Sequence, residues 1–352
     1  MRRRRGLAVV MVAGLLVLSG CIGGFGVSDG SENADSGDET DVDGELEVHH
    51  IDVGQADATL IVTPDGETIL IDTGDWRQDG QGVIDYLESE NIDRIDHLVA
   101  THAHADHIGG HAAVIEHFEE HGEGVGAAYD SGITHTSQTY ERYLDAVEAY
   151  EIRLFEVSEG STLPLEDDAV EATVRNPPED GGDGLHYNSV TLSVAFGDFT
   201  YLTTGDAERD AEQRMVDAHS DDLAADAYQA GHHGSSTSST DPFLDRVDPD
   251  VAVISSALES QYGHPHDEVL ESFADRDIVT YWTGVHGDIV LTTDGTDASV
   301  TAEYDEPTDP ATLLERKHEA NSDSESESAS LYPPRPSTGA GVDTPPALTV
   351  SP

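Results

Sequence analysis

Cysteine is all but absent, Cys21 being the single one in 352 residues. No intrachain disulfide can form, and beyond position 21 neither a thiolate metal site nor a cysteine nucleophile is available. His, Asp and Glu must carry any metal. Basic residues are nearly as scarce: Lys and Arg number 16 against 72 Asp and Glu, a formal net charge of −56, and Lys317 is the only lysine. Repulsion of that size is largely screened at about 1 M salt, where the Debye length falls to about 3 Å, so the composition points to a solvated acidic surface suited to a salt-loving organism. No basic stripe argues for a nucleic-acid face, although acidity alone excludes no substrate. A long hydrophobic run is missing too. The apolar stretch Leu7–Leu18 falls short of the roughly 20 residues that span a bilayer.

That short run sits behind four arginines at 2–5 and ahead of Leu18-Ser-Gly-Cys21. Basic residues, a short apolar core and small residues before a cut are the parts of a secretory signal. The tripeptide ending at Cys21 resembles a lipobox, which makes Cys21 the lipidated first residue of the mature chain. An uncleaved anchor helix is the plainer alternative, and either places the rest of the chain at the extracellular face of the cell membrane. Residues 22–44 are rich in Gly, Ser, Asp and Glu without apolar periodicity, an acidic flexible linker. From 306 to 352 the chain is again acidic and Pro-rich, with SDSESESAS at 322–330, and is expected to be a disordered tail. The fold is therefore expected within 45–305, a normal length for one large α/β domain.

Within those bounds strands and helices alternate. Strand-like runs are Leu46–Asp52, Ala58–Thr63, Thr68–Asp72 and His97–Thr101; helix-like runs are Gly82–Glu90, Ile108–Phe118 and Ser137–Tyr150. Strands follow at Val170–Arg175, Val190–Phe196 and Phe199–Thr203. A second pass then adds a helix at Glu208–Ala218, strands near Ala225–Ala230 and at Val251–Ser255, a helix at Glu268–Ala274, and strands at Ile278–Trp282, Asp288–Thr292 and Val300–Tyr304. There is no short-period repeat. Two sheet-rich halves, each with flanking helices, predict an α/β four-layer αββα sandwich rather than a barrel.

The chemistry concentrates in Thr101-His-Ala-His-Ala-Asp-His-Ile-Gly-Gly110. His102, His104, Asp106 and His107 put three imidazoles and a carboxylate just beyond an apolar strand. Such groups are costly to leave unpaired and match the ligand preferences of zinc and other first-row metals. Asp72, before Gly74, could orient His102 or His104 through a ring N–H, or simply form a turn. Asp206 follows Leu202–Gly205 and starts a helix, as a cap or as a carboxylate shared between metals. His232 and His233 end a strand, and one of them should complete a metal shell. The residues alone leave open which.

The His-x-His-x-Asp-His run resembles the signature of the metallo-β-lactamase superfamily. Ile51-Asp-Val-Gly-Gln-Ala-Asp-Ala58, Leu70-Ile-Asp-Thr-Gly74, Asn188-Ser-Val, Leu202-Thr-Thr-Gly-Asp206, His232-His-Gly-Ser-Ser-Thr-Ser238 and Tyr262-Gly-His-Pro265 follow in the order of the hydrolase domain attached to the DNA-uptake channel ComEC. The resemblance covers about 46–304. It implies two divalent metal ions, zinc with manganese as the alternative. One would sit on His102, His104 and Asp206, the other on Asp106, His107, Asp206 and His233, with His232 orienting its neighbour or touching substrate. Such a pair activates a shared water, so Asp106 and Asp206 are the expected catalytic carboxylates. His264 would protonate the leaving group or hold a phosphoryl oxygen, and Ser235 and Ser236 could hydrogen-bond substrate.

Two departures stand out. Many superfamily members place a further histidine between the first cluster and Asp206, whereas here the stretch reads Asn188-Ser-Val, with His186 two residues earlier a weaker substitute. Gln229 stands where ComEC-like domains often carry a lysine, which puts phosphate contact in doubt. A di-iron redox role is disfavoured, since that branch typically has a glutamate where His104 stands. The expected function is hydrolysis of a phosphoester, with phosphodiesters such as nucleic acid foremost, by a domain tethered to the membrane through lipid. β-Lactam or thioester hydrolysis uses the same metals without subfamily support. A non-catalytic metal-containing surface binding module is the alternative from another class. No protein partner is legible.

Overall fold

The computed structural model describes residues 42–331, with side chains through 322. The signal, Cys21 and nearly all of the linker lie outside the described residues. The chain runs β1 (Leu46–His50), β2 (Thr59–Val62), β3 (Thr68–Ile71), α1 (Gln81–Ser89), β4 (Ile95–Val99), α2 (His111–His121), β5 (Val125–Asp130), α3 (Gln138–Ala149) and β6 (Arg153–Glu156). It continues through β7 (Val170–Asn176), β8 (Thr191–Phe196), β9 (Phe199–Thr203), α4 (Arg209–His219), β10 (Ala227–Gln229), α5 (Asp241–Val247) and β11 (Val251–Ile254). The last elements are α6 (Asp267–Asp275), β12 (Val279–Trp282), α7 (Thr283–His286), β13 (Ile289–Thr293), β14 (Ala298–Ala302) and α8 (Pro310–Leu331).

The strands form an 8-stranded sheet, β14-β13-β1-β2-β3-β4-β5-β6, and a 6-stranded sheet, β12-β11-β10-β9-β8-β7. Side-chain alternation along each strand builds the layers. Ile61, Ile69, Ile71 and Val99 point between the sheets and meet Val194, Phe196, Tyr201 and Val253. Their neighbours Leu60, Leu70 and Leu98 point outward, onto Val83, Leu87, Val114, Ile115 and Phe118 of α1 and α2. On the far side, Leu202, Tyr228, Ala252 and Trp282 meet Met215, Phe243, Leu270 and Phe273 of α4, α5 and α6. The architecture is the four-layer αββα sandwich. Strands buried on both faces explain the continuous apolar runs of β3 and β11. No helix among the described residues is long and apolar enough to cross a membrane.

Five elements depart from the sequence expectation, the short helices α5 and α7 among them. β5 (VGAAYD) and β6 (RLFE) were not foreseen: the first is built largely of small residues, and the second is an edge strand with all four residues exposed. The tail expected to lack structure from 306 instead begins with α8. Its Leu313 is buried in the α-layer core. The Lys317 ammonium lies 2.5 Å from Asp267 at the start of α6, and His318 pairs with the other carboxylate oxygen. Polar composition hid that one packed face.

Candidate metal centre

The first cluster is a turn, not an extended segment. β4 ends at Val99, and 101–110 fold back so that His102 Nε2 lies 2.9 Å from His104 Nδ1. Backbone bonds pin the turn to the strand ends beside it: Asp57 N–H donates to Asp106 O, Thr73 N–H to His107 O and Trp76 N–H to Ala105 O. Gly109 permits that approach, since a Cβ there would lie 2.1 Å from Trp76 N. Asp72, in the left-handed region at φ 59, turns its carboxylate to Thr101 and to His107 Nδ1, the latter at 2.6 Å. The expectation that Asp72 orients His102 or His104 is thus corrected. The left-handed backbone at Asp72 turns its carboxylate to the third imidazole of the run.

Asp206 is the centre of the site. It lies ahead of α4, whose capping position is Glu208, so it is not itself the helix cap. Its backbone N–H donates to Ser189 Oγ. The two carboxylate oxygens face opposite ways. Oδ1 lies 3.2 Å from His107 Nε2 and 3.9 Å from His233 Nε2. Oδ2 lies 3.5 Å from His102 Nε2, 3.5 Å from His232 Nε2 and 3.9 Å from His186 Nε2. Two donor groups follow: His102, His104, His186 and Asp206 on one side, and Asp57, His107, Asp206 and His233 on the other. Asp106 joins the second, with Oδ2 3.5 Å from His233 Nε2.

His232 and His233 are separated by the fold. Both adopt left-handed backbone, φ 52 and φ 56, conformations that non-glycine residues hold at a cost of order 1–3 kcal/mol each. The bend sends His233 inward, its Nδ1 donating to Ser255 O at 3.0 Å, and leaves His232 half-buried beside His186. His264 stacks on His233 and meets His232 edge-on, with Nδ1 3.3 Å from the Gln55 amide. Burial, then the His233, His232 and His266 imidazoles, push His264 down to about 4. A neutral ring of this kind suits hydrogen-bond donation better than proton transfer. Ser235 is turned to Thr237, and Ser236 is exposed with its N–H on His266.

Of three further participants, two go unassigned at the sequence level and one, His186, is held the weaker substitute there. Asp57 lies within the quoted Ile51–Ala58 motif and carries no obvious partner there. In the structure its carboxylate faces the Nδ1 edges of His107 and His233 at 3.8 and 3.6 Å, while the other oxygen accepts from Gln229 Nε2 at 2.9 Å. Gln229 is buried and also accepts from Tyr201 Oη and Thr59 Oγ1. A lysine at this position would face Asp57, so its loss removes no cation from the open site. His186, not Asn188, lies with His102, His104 and Asp206, for Asn188 is turned to the carbonyls of Gly181, Gly182 and Gly184. Glu208 is the third.

The donor set fits metal ions. His107 Nε2, His233 Nε2 and Asp206 Oδ1 are buried without a hydrogen bond and converge on one point. Orphaned buried polar atoms are costly, and a cation satisfies all three at once. Charge agrees. Burial works against a protonated His107, yet Asp206 and Asp72 hold it well above its ordinary value. His233 is likewise raised to about 9, against its burial, chiefly by Asp57 and Asp206. Bound metal would supply that positive charge and balance Asp57, Asp72, Asp106 and Asp206.

The metallo-β-lactamase superfamily model matches residues 51–257. The chain belongs to that superfamily. ComE operon protein 3 of Bacillus subtilis is 28% identical over 261 residues, covering 70% of this chain and 33% of that protein. Recombination protein 2 of Haemophilus influenzae is 32% identical over 232 residues, covering 64% of this chain and 26% of its own length. The chain thus matches a third or less of these curated relatives. The metallo hydrolase Igni18 of Ignicoccus hospitalis superposes with a TM-score of 0.43 at 15% identity, covering 70% of this chain and 98% of that one. The metallo-β-lactamase chain described here is therefore a ComEC-like domain, with His and Asp clusters able to bind metal.

Proposed function

We propose that this superfamily member is a metal-dependent phosphoester hydrolase, with phosphodiesters the foremost substrate class, acting from the outer face of the cell membrane through lipid on Cys21. One observation carries the hydrolase reading: the carboxylate of Asp206 offers one oxygen to each of two imidazole groups, and at the one with His107 and His233 the buried donor atoms have no hydrogen-bond partner. Two divalent cations held there, zinc or manganese, would lower the pKa of a shared water and stabilise the oxyanion formed on attack. Asp106, at the open edge beside His233, is placed to orient that water. His264 lines the same chamber and can donate a hydrogen bond to an outer phosphoryl oxygen. Asp72 and Ser255 fix the rings of His107 and His233 so that Nε2, not Nδ1, faces inward. No side-chain nucleophile is required.

The test is turnover by the purified, metal-loaded chain in high salt on phosphodiester, phosphomonoester and β-lactam substrates. Phosphodiester turnover lost in Asp206→Ala, together with more metal than either His102→Ala or His104→Ala loses, is expected. A wild-type chain holding metal but turning over no ester would support the surface binding module instead. Anchoring has its own test: Cys21→Ser should release the domain from the membrane fraction or block its processing.

A further inference from the structure

Five imidazoles around Asp206 share one arrangement, each with Nε2 toward the carboxylate and Nδ1 held from behind. His107 is held by Asp72, His233 by Ser255 O and His102 by Thr101 Oγ1 at 3.2 Å. The remaining two, His186 and His232, both have Nδ1 at ion-pair distance from Glu208, and His232 Nδ1 also hydrogen-bonds Thr237 Oγ1 at 3.3 Å. Glu208 Oε1 lies 3.3 Å from His186 Nδ1 and 3.3 Å from His232 Nδ1. The same oxygen accepts from Thr237 Oγ1 at 2.9 Å. Glu208 is two residues beyond Asp206, and Arg209 N–H donates to Thr237 O, so its backbone is tied to both the carboxylate and the His232 turn.

We infer that Glu208 is a positioning residue of the first metal position and that His186 is a ligand there, an inference that rests on the metal-centre reading above. A carboxylate oxygen beside Nδ1 favours the ring proton there and leaves the lone pair on Nε2. Glu208, by charge at 3.3 Å rather than through a hydrogen bond, therefore favours for His186 the tautomer that presents Nε2 to Asp206 Oδ2. His186 Nε2 lies 3.3 Å from His104 Nδ1 and 3.9 Å from Asp206 Oδ2. Donors bound to one tetrahedral zinc at about 2.0–2.1 Å stand roughly 3.4 Å apart, so these spacings suit a shared ion. Glu208 as a ligand in its own right, grouped with both Nδ1 atoms, is the rival arrangement. It would require His186 to bind metal through both nitrogens and give up its ring proton.

Cobalt(II) titration of the chelator-stripped full-length chain, followed by visible absorption and by competition for affinity, decides between them. Wild type should take up two ions. Glu208→Ala should weaken one binding event about 10- to 100-fold and alter its spectrum, leaving the other event within about twofold. Glu208→Gln, which keeps a partially negative oxygen beside both rings, should retain more of the affinity than Glu208→Ala. His186→Ala should weaken the same event, and adding Glu208→Ala to it should cost less than in wild type. Melting of the metal-free variants separates lost positioning from lost fold, because Glu208 is partly exposed and its removal buries no unpaired charge. Unchanged affinity and spectrum in Glu208→Ala overturn this inference alone. A third ion bound by wild type and lost in Glu208→Ala assigns Glu208 as a ligand and overturns it as well. No uptake by wild type overturns it together with the metal-centre reading.

Discussion

Asp72 Oδ2 and His107 Nδ1 stand 2.6 Å apart with both side chains buried, and the same oxygen accepts from Thr101 Oγ1. One carboxylate thereby fixes the ring that faces Asp206 and the start of the turn that carries the first histidine cluster. Asp72→Asn keeps the shape but weakens the acceptor and sets an amide N–H₂ against existing donors. Metal affinity should fall about 10- to 100-fold while most bound metal survives saturation. Metal analysis at graded free metal checks this, and an unchanged affinity would remove Asp72 from the site.

The Gln229 amide is the principal donor to Asp57 Oδ1. Gln229→Leu would leave that buried carboxylate without it and remove the Gln229 acceptor from Tyr201 Oη and Thr59 Oγ1, the latter keeping His50 Nδ1 at 3.4 Å. A loss on the order of 3 kcal/mol in unfolding free energy is expected. Gln229→Lys should cost less, because its ammonium reaches the same carboxylate and only the two hydroxyl acceptors are lost. Denaturant unfolding of the three chains in multimolar KCl checks the ranking. Equal losses in both variants would sink the ion-pair argument.

Much of this site was legible because its residues are adjacent in sequence to strand ends. His102, Asp106, Asp206 and His233 each follow a periodic apolar run, and β4, β9 and β10 carry them to one edge of the sandwich. What stayed hidden depends on side-chain direction. Asp57 and Gln229 lie far apart in sequence and meet only because β2 of one sheet packs over β10 of the other. His186 was set aside because spacing favoured Asn188, and only the local turn shows which of the two points inward. The direction of Asp72 was misjudged for the same reason, a left-handed residue reversing the expected face. Packing hid α8 as well: Leu313 and Lys317 are single contacts in a polar stretch, below what periodicity detects.

A pH effect follows from His50, away from the metal centre. Burial, then the neighbouring His49, push its imidazole down to about 3. The unfolded chain takes up this proton near the ordinary histidine value of about 6.5. Between those values the unfolded state binds more protons. Stability contributed by the neutral ring is therefore complete above about 6.5 and is lost as pH falls toward 3, at about 1.4 kcal/mol per pH unit. His50→Phe cannot take up the proton, so its stability relative to wild type should improve steadily as pH falls through that window. Urea unfolding at fixed high KCl provides the measurement, and parallel wild-type and variant profiles would contradict it.

Salt should matter more than any single residue. The formal charge of −56 has few internal counterweights. Surface pairs such as Arg77–Asp75, Arg142–Asp79 and Arg276–Asp241 involve mostly exposed groups, and exposed pairs contribute about 0–1 kcal/mol each. They cannot offset the mutual repulsion of the remaining carboxylates. Screening can, and it acts over a defined range: the Debye length shrinks from about 10 Å at 0.1 M to about 3 Å at 1 M. The melting temperature should therefore climb steeply across that interval and flatten above it, with KCl and NaCl equivalent at equal ionic strength. A sulfate salt matched in ionic strength separates charge screening from surface exclusion, since excluded salts continue to stabilise at higher concentration. A melting temperature unchanged from 0.1 to 1 M would mean that the carboxylates are spaced widely enough not to repel, and the salt-adapted reading of the composition would fall.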